Sequence, residues 1–230
     1  MKIDLSKYLT QRYIDSLSQQ EFEGPVVTLS REFGCPGKKI AYCLIRKLNE
    51  TKGSGKKPFP WRCINKEIIS ESAEALNLDP DAIEYVFKYE KKTFFDDILS
   101  SQSSKYYKSD RKIRNTIARV IRNIASEGNV VILGRGGVAI TREMDRSLHV
   151  MLEAPINWRM LRTMQKYGMS EKEALNYSRE IDRKRRELRD YYHGKGTDYT
   201  RFDVRYNCMT LSVEDIAESI LRLMKSRKLI

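Results

Sequence analysis

A short apolar run, Val26-Val27-Thr28-Leu29, passes directly into a loop with two glycines, Ser30-Arg31-Glu32-Phe33-Gly34-Cys35-Pro36-Gly37. Residues 38–48 follow, with Ile40, Leu44, Ile45 and Leu48 at helical spacing. A short β-branched run of this kind is the composition of a buried strand. Strand, glycine loop and helix in that order constrain the fold more than any other feature. The first amides of such a helix, and the positive end of its dipole, converge on one point beside the sheet. Lys38 and Lys39 open the helix. Cations are disfavoured there by about 0.3–1 kcal/mol each unless an anion is bound. Two readings follow. The segment is either a phosphate-binding loop formed by Ser30, Arg31, Gly34, Cys35, Gly37, Lys38 and Lys39, or an ordinary strand–helix turn with exposed lysines. Against the pattern G-x-x-x-x-G-K-[ST], Glu32 replaces the first glycine, and Lys39 replaces the hydroxyl that ligates magnesium.

The rest of the chain alternates in the same way. Residues 1–24 read as an amphipathic helix ended by Gly24-Pro25, and 49–60 as a Gly-, Lys- and Pro-rich linker. Helical pieces are predicted over 65–99, with a polar stretch at 100–110 and a helix over 111–126. Strands are predicted at 130–133, 148–152 and 204–207. Pro155 marks a helix start, and the Ser170/Glu173 capping box starts another helix that runs through the basic stretch 182–186 towards Gly194 and Gly196. The terminal helix spans 213–225. Helices alternating with short apolar strands indicate an α/β sandwich around a largely parallel sheet.

Composition narrows the functional classes. Among 230 residues, 43 Lys+Arg outnumber 31 Asp+Glu for a net charge of +12, which suits an anionic partner or a solvated basic face. No apolar run approaches a membrane span, and the N-terminal segment lacks a secretion signal, so the expected location is the cytoplasm with no membrane partner. Cys35, Cys43, Cys63 and Cys208 show no paired metal-ligand spacing and read as reduced thiols, so no metal site is assigned to the protein's own residues. Cys35, near a helix N-terminus, reads as a low-pKa thiol. His149 inside an apolar strand reads as a core residue, and Tyr191-Tyr192 as lid packing rather than base stacking.

Five segments carry a resemblance to a known family: VVTLSREFGCPGKKIA at 26–41, INKEII at 64–69, VVILGRGG at 130–137, DRKRRELRDYYHGK at 182–195 and FDVRYN at 202–207. In that order they resemble the cytidylate kinase-like proteins, a branch of the P-loop nucleoside monophosphate kinases, from Val26 to the terminal helix. The resemblance implies a P-loop three-layer α/β/α sandwich with a five-stranded parallel sheet. It also implies a helical acceptor-binding insertion at about 64–110 and a lid at about 170–200 within a single domain, 25–230. It assigns Lys38 to the donor phosphates, Gly134 and Arg135 to the acceptor monophosphate, and Asp182 and Arg185 to a lid motif that closes over the transferring phosphoryl group.

The implied cofactors are ATP and Mg²⁺. Lys39 and Gly136 stand where metal-handling groups belong, so the ion would be held largely by substrate oxygens and water, or part of its charge supplied by Lys39. The usual base-recognition motif is not recognisable, which leaves the acceptor base open. The expected function is transfer of the ATP γ-phosphoryl group to a small phosphorylated acceptor such as CMP or dCMP. The alternative is a nucleotide-binding protein of the same fold without useful turnover. A nucleic-acid-binding module has only the charge in its favour. Expected partners are nucleotides, with self-association open.

Overall fold

Val26–Arg31 forms β1, in which Val27 and Leu29 enter one core while Val26 enters the other. In the computed structural model β1 is the middle of a five-stranded sheet, order β2-β3-β1-β4-β5, with β2 at Arg62–Ile64, β3 at Val130–Leu133, β4 at Ser147–Glu153 and β5 at Val204–Asn207. Every pairing is parallel, Val26 lying opposite Val130 on one side and Ser147 on the other. The structure describes residues 25–50, 60–65, 67–77, 110–193 and 202–230. The predicted helix at 1–24, residues 51–59 of the predicted linker, most of the 64–110 insertion, and the Gly194 and Gly196 loop lie outside these.

Parallel strands require crossovers, and the helices cover both faces. One face is sealed by α1 (Gly37–Glu50) and by the terminal helix (Val213–Ser226), through Ile40, Leu44, Ile216 and Ile220. The other is covered by α2 (Glu67–Glu74), α3 (Asp110–Glu127) and α4 (Gly137–Ile140). After β4 come α5 (Ile156–Tyr167) and α6 (Glu171–His193), and the terminal helix is α7. The predicted three-layer α/β/α sandwich with a five-stranded parallel sheet is therefore the observed fold.

The chain leaves β1 for β2 and β3 on one side, then returns past β1 to β4. Crevices at such reversals, at the carboxyl ends of the strands, are where ligands bind in open α/β sheets. The glycine loop opens there.

Two elements were not anticipated. β2 has three residues, of which Arg62 is exposed, so it offers no apolar run to read. α4 is a single turn after two left-handed glycines. The capping box at Ser170 is present, with the Ser170 amide donating to Glu173 Oε2 at 2.9 Å, and it starts a continuous helix of 23 residues that fills most of the expected lid. Among the described residues no helix is long and apolar enough to cross a membrane.

Candidate phosphate-binding site

The loop between β1 and α1 uses several of its own amides. The Glu32 amide donates to Leu152 O at 2.9 Å, that of Cys35 to Glu32 O at 3.3 Å and that of Gly37 to Cys35 O at 2.9 Å. The Phe33 amide donates to Asp182 Oδ1 at 2.7 Å. The amides of Gly34, Lys38 and Lys39 donate to no acceptor among the described residues, and they remain for an anion. The sequence expected Gly34 and Gly37 to act together, and the structure separates them. Gly34 has φ +90°, and a Cβ there would stand 2.9 Å from Arg159 Cβ. Buried Gly37 instead lets the loop pack close to Leu133.

Arg159, which sequence reasoning missed, holds the loop in place. It is buried, and its Nε donates to Ala154 O at 2.8 Å while one terminal nitrogen reaches Phe33 O at 3.0 Å and Asp182 Oδ2 at 2.7 Å. Glu32 completes the cluster, accepting the Ala154 amide at 3.1 Å and facing Arg159 Nε at 3.2 Å. A buried charge cluster of this kind is tolerated where its charges are paired and hydrogen-bonded. Asp182, assigned by resemblance to the lid's catalytic motif, is thus committed to joining α6, α5 and the loop. The signal for Arg159 was available: Arg159 and Arg162 lie three apart on the helix after β4, hence on one face.

A cavity of about 830 Å³ opens above the loop. Among the described residues Arg31, Lys38, Lys39, Arg162, Lys166 and Arg185 line it, against the carboxylate of Glu32. The structure therefore brings together Arg31, Gly34, Cys35, Gly37, Lys38, Lys39 and Arg185 of the predicted site. Ser30 is not among them, being buried within β1 opposite Met151. Lys38 and Lys39 are exposed, with Lys38 Nζ 5.7 Å from the ring centre of Tyr42. Arg185 donates to Arg31 O at 3.0 Å, lies over the Phe33 ring, and keeps its Nε buried with no acceptor among the described residues. Phe33 in turn packs edge-on against Tyr177 and stacks on Tyr167, which ties the loop to α5 and α6.

Gly134, Arg135 and Gly136 follow β3, and all three adopt left-handed backbone, at φ 74°, 58° and 75°. A Cβ on Gly134 would collide with the Arg31 guanidinium, so glycine here lets Arg31 lie across the turn. Arg135 Nε donates to Asn65 O at 3.2 Å and Oδ1 at 3.3 Å, and Asn65 lines the cavity. Arg135 therefore stands next to the cavity rather than in its wall. At Gly136 a Cβ would meet the Tyr192 ring, whose hydroxyl donates to Arg114 O at 3.2 Å, consistent with Tyr192 packing rather than stacking on a base.

The residues present do not form a protein-held magnesium site. The nearby carboxylates of Glu32 and Asp182 are bound to Arg159 and backbone amides. Position 39 is a lysine, and no group of three or more potential metal ligands occurs among the described residues. His149 accounts for itself structurally: buried, with Nδ1 2.8 Å from Thr28 Oγ1 and Nε2 3.1 Å from Ser147 Oγ, it has its ordinary pKa lowered chiefly by burial. The expectation of a low-pKa Cys35 is overturned. The neighbouring Cys208 side chain and burial both push its pKa up.

Comparison with known proteins bears on the fold and the family. No curated protein sequence matches the chain. Among solved structures, an uncharacterized protein from Eubacterium ventriosum is similar at 20% identity and TM-score 0.60, covering 89% of this chain and 99% of that one. A shikimate kinase from Bacteroides thetaiotaomicron is similar at 13% identity and TM-score 0.50, covering 87% and 98%. At these identities the likeness concerns the fold alone, and it is the fold of a P-loop kinase. The family model of cytidylate kinase-like proteins matches residues 26–208, from β1 through the residue after β5, and the chain belongs to the cytidylate kinase-like family.

Proposed function

We propose that the chain is a phosphotransferase that moves the γ-phosphoryl group of ATP to a small phosphorylated acceptor, CMP or dCMP. The observation that supports this most is the cavity above the loop, with six cations, one carboxylate and three unused amides among the described residues. Phosphoryl transfer asks little covalent help of a protein. It needs aligned substrates and positive charge around the equatorial oxygens. In this reading Lys38 and the amides of Gly34, Lys38 and Lys39 hold the donor phosphates. Arg185 and Arg31 face the transferring group, while Arg135, braced by Asn65, takes the acceptor's phosphate. An acceptor phosphate oxygen attacks the γ-phosphorus as the bond to the β–γ bridging oxygen breaks, leaving ADP and the diphosphate. Exposed Tyr42 and Tyr167 offer the donor base an aromatic surface. In this reading the protein is cytoplasmic and its partners are nucleotides rather than membranes or nucleic acid.

A second reading, nucleotide binding without turnover, is favoured by one observation. Asp182 occupies a loop amide, and no group of three or more potential metal ligands lies near it among the described residues. A coupled assay with ATP, Mg²⁺ and a panel of monophosphates separates the two. Turnover with CMP or dCMP well above the no-acceptor rate is the expected result. Tight ATP binding with no acceptor turned over establishes the second reading instead.

A further inference from the structure

A second, smaller cavity of about 230 Å³ lies between α6 and the sheet. Its walls follow from the periodicities of the two elements. Asp182, Arg185, Arg186 and Arg189 fall at i, i+3, i+4 and i+7 on α6, one stripe of the helix, and all four line the cavity. On β4, Met151 and Glu153 are two positions apart and share a face of the sheet. Leu148, Val150 and Leu152 take the opposite face, in the core sealed by α1 and α7. Arg205 on β5 is the register partner of Met151 and lines the same space. None of Met151, Glu153, Arg186, Arg189 and Arg205 lines the larger cavity, and none of Gly34, Lys38 and Lys39 lines the smaller one. Arg31, Glu32 and Arg185 border both, with Arg185 held there by its bond to Arg31 O at 3.0 Å.

Among the described residues, five guanidinium groups and three carboxylates line this space. The carboxylates are already engaged. Asp182 and Glu32 are paired with Arg159, which lies outside the cavity wall, at 2.7 and 3.2 Å, and Glu153 accepts from Arg205 at 2.9 Å. Asp182 Oδ1 stands 3.9 Å from Arg185, a long ion pair. Arg186 reaches no carboxylate among the described residues, and the buried Nε of Arg185 has no acceptor there. With Arg159 counted, six guanidiniums share three carboxylates. Like charges gathered between low-dielectric walls repel one another, and an entering anion relieves that repulsion.

We infer that this cavity binds a phosphate dianion, either inorganic phosphate or the phosphoryl end of a small ester. Guanidinium forks match phosphate oxygens two at a time, which a lysine cannot do. Arg186 reaches the site from the helix and Arg205 from the sheet, so one anion can be held between opposite walls. Phe202 orients the second of these, the Arg205 guanidinium lying over its ring at 5.2 Å. Volume sets the upper limit on the ligand. Cavities that enclose drug-sized molecules run from roughly 300 to 1,000 Å³. This one takes a phosphate with a short substituent, and a nucleotide belongs in the larger cavity.

Calorimetric titration of inorganic phosphate, and separately of glycerol 3-phosphate, into full-length Lys38→Ala tests the inference. That variant removes the lysine of the phosphate loop and leaves the smaller cavity intact. Both probes are then titrated into the same chain carrying Arg186→Ala or Arg205→Ala in addition. Arg186 is exposed, and so is the Arg205–Glu153 pair, so neither change threatens the fold. The expected result is one-to-one binding of at least one probe to Lys38→Ala, weakened about fivefold or more by either arginine substitution. Tighter binding of inorganic phosphate identifies the free ion as the ligand, and tighter binding of glycerol 3-phosphate identifies an ester. No binding to Lys38→Ala overturns the inference. Binding that either arginine substitution leaves unchanged also overturns it and places the anion at the loop or beside Arg135. ATP takes no part in this readout, so its outcome is independent of the proposed transfer.

Discussion

Asp182 illustrates how a residue's chemistry is decided by its surroundings. Resemblance placed it in a catalytic lid motif, but its two oxygens are bound to the Phe33 amide and to Arg159, both at 2.7 Å. Opening a buried ion pair on one side is costly because the remaining charge keeps its desolvation penalty. Asp182→Asn is therefore expected to lose about 3 kcal/mol of stability, the low end for such a pair because Glu32 still faces Arg159. Urea denaturation measures this. A variant of native stability that has lost only turnover would return Asp182 to the reacting centre. Arg135 makes the opposite case. Its bonds to Asn65 place it beside the cavity on the β2–β3 side, so Arg135→Ala should weaken acceptor binding and spare ATP, as separate titrations would show. Equal loss of both would reassign it to the donor.

At the scale of elements, legibility followed the strength of the local pattern. β1, β3 and β4 were readable as mostly apolar or β-branched runs, β5 as the short Val204–Asn207 segment, and α3 from its spaced isoleucines, because burial on one or two faces writes itself into composition. The fifth strand was not. Arg62-Cys63-Ile64 is a sheet edge whose pairing to β3 comes from tertiary context, and only the family resemblance implied it. The glycines and lysines of the site were likewise legible, whereas Arg159 and Asn65 act through contacts made across the fold. α3 carries much of the second core, and Ile121→Ala within it should cost about 2–5 kcal/mol, measured by denaturant midpoint, since Ile121 is fully buried. Between β1 and β4, His149 predicts a pH dependence. Its folded pKa lies below its unfolded value near 6.5, so its contribution is present above that value. That contribution is lost as pH falls through the depressed folded pKa, because the unfolded chain binds the extra proton. The melting temperature should fall with acidification below about pH 6.5, and more steeply than in His149→Gln. Identical slopes would show that His149 does not titrate on unfolding.

The whole molecule joins these scales at one place. The strand order of the parallel sheet reverses beside β1, two arginine-bearing helices clamp the loop that follows, and cations carried on β1, α1, α5 and α6 converge there on one cavity. The net charge of +12 is thus focused rather than merely spread, although the sequence alone was equally compatible with a solvated basic face. Both proposed readings, transfer and mere binding, require a triphosphate on the loop at residues 31–39. Calorimetric titration of ATP into the wild-type chain and into Lys38→Ala addresses that requirement most directly. Measurable wild-type binding, weakened at least several-fold in the variant, is the predicted outcome. Equal affinity in the two proteins, or none in either, would contradict it.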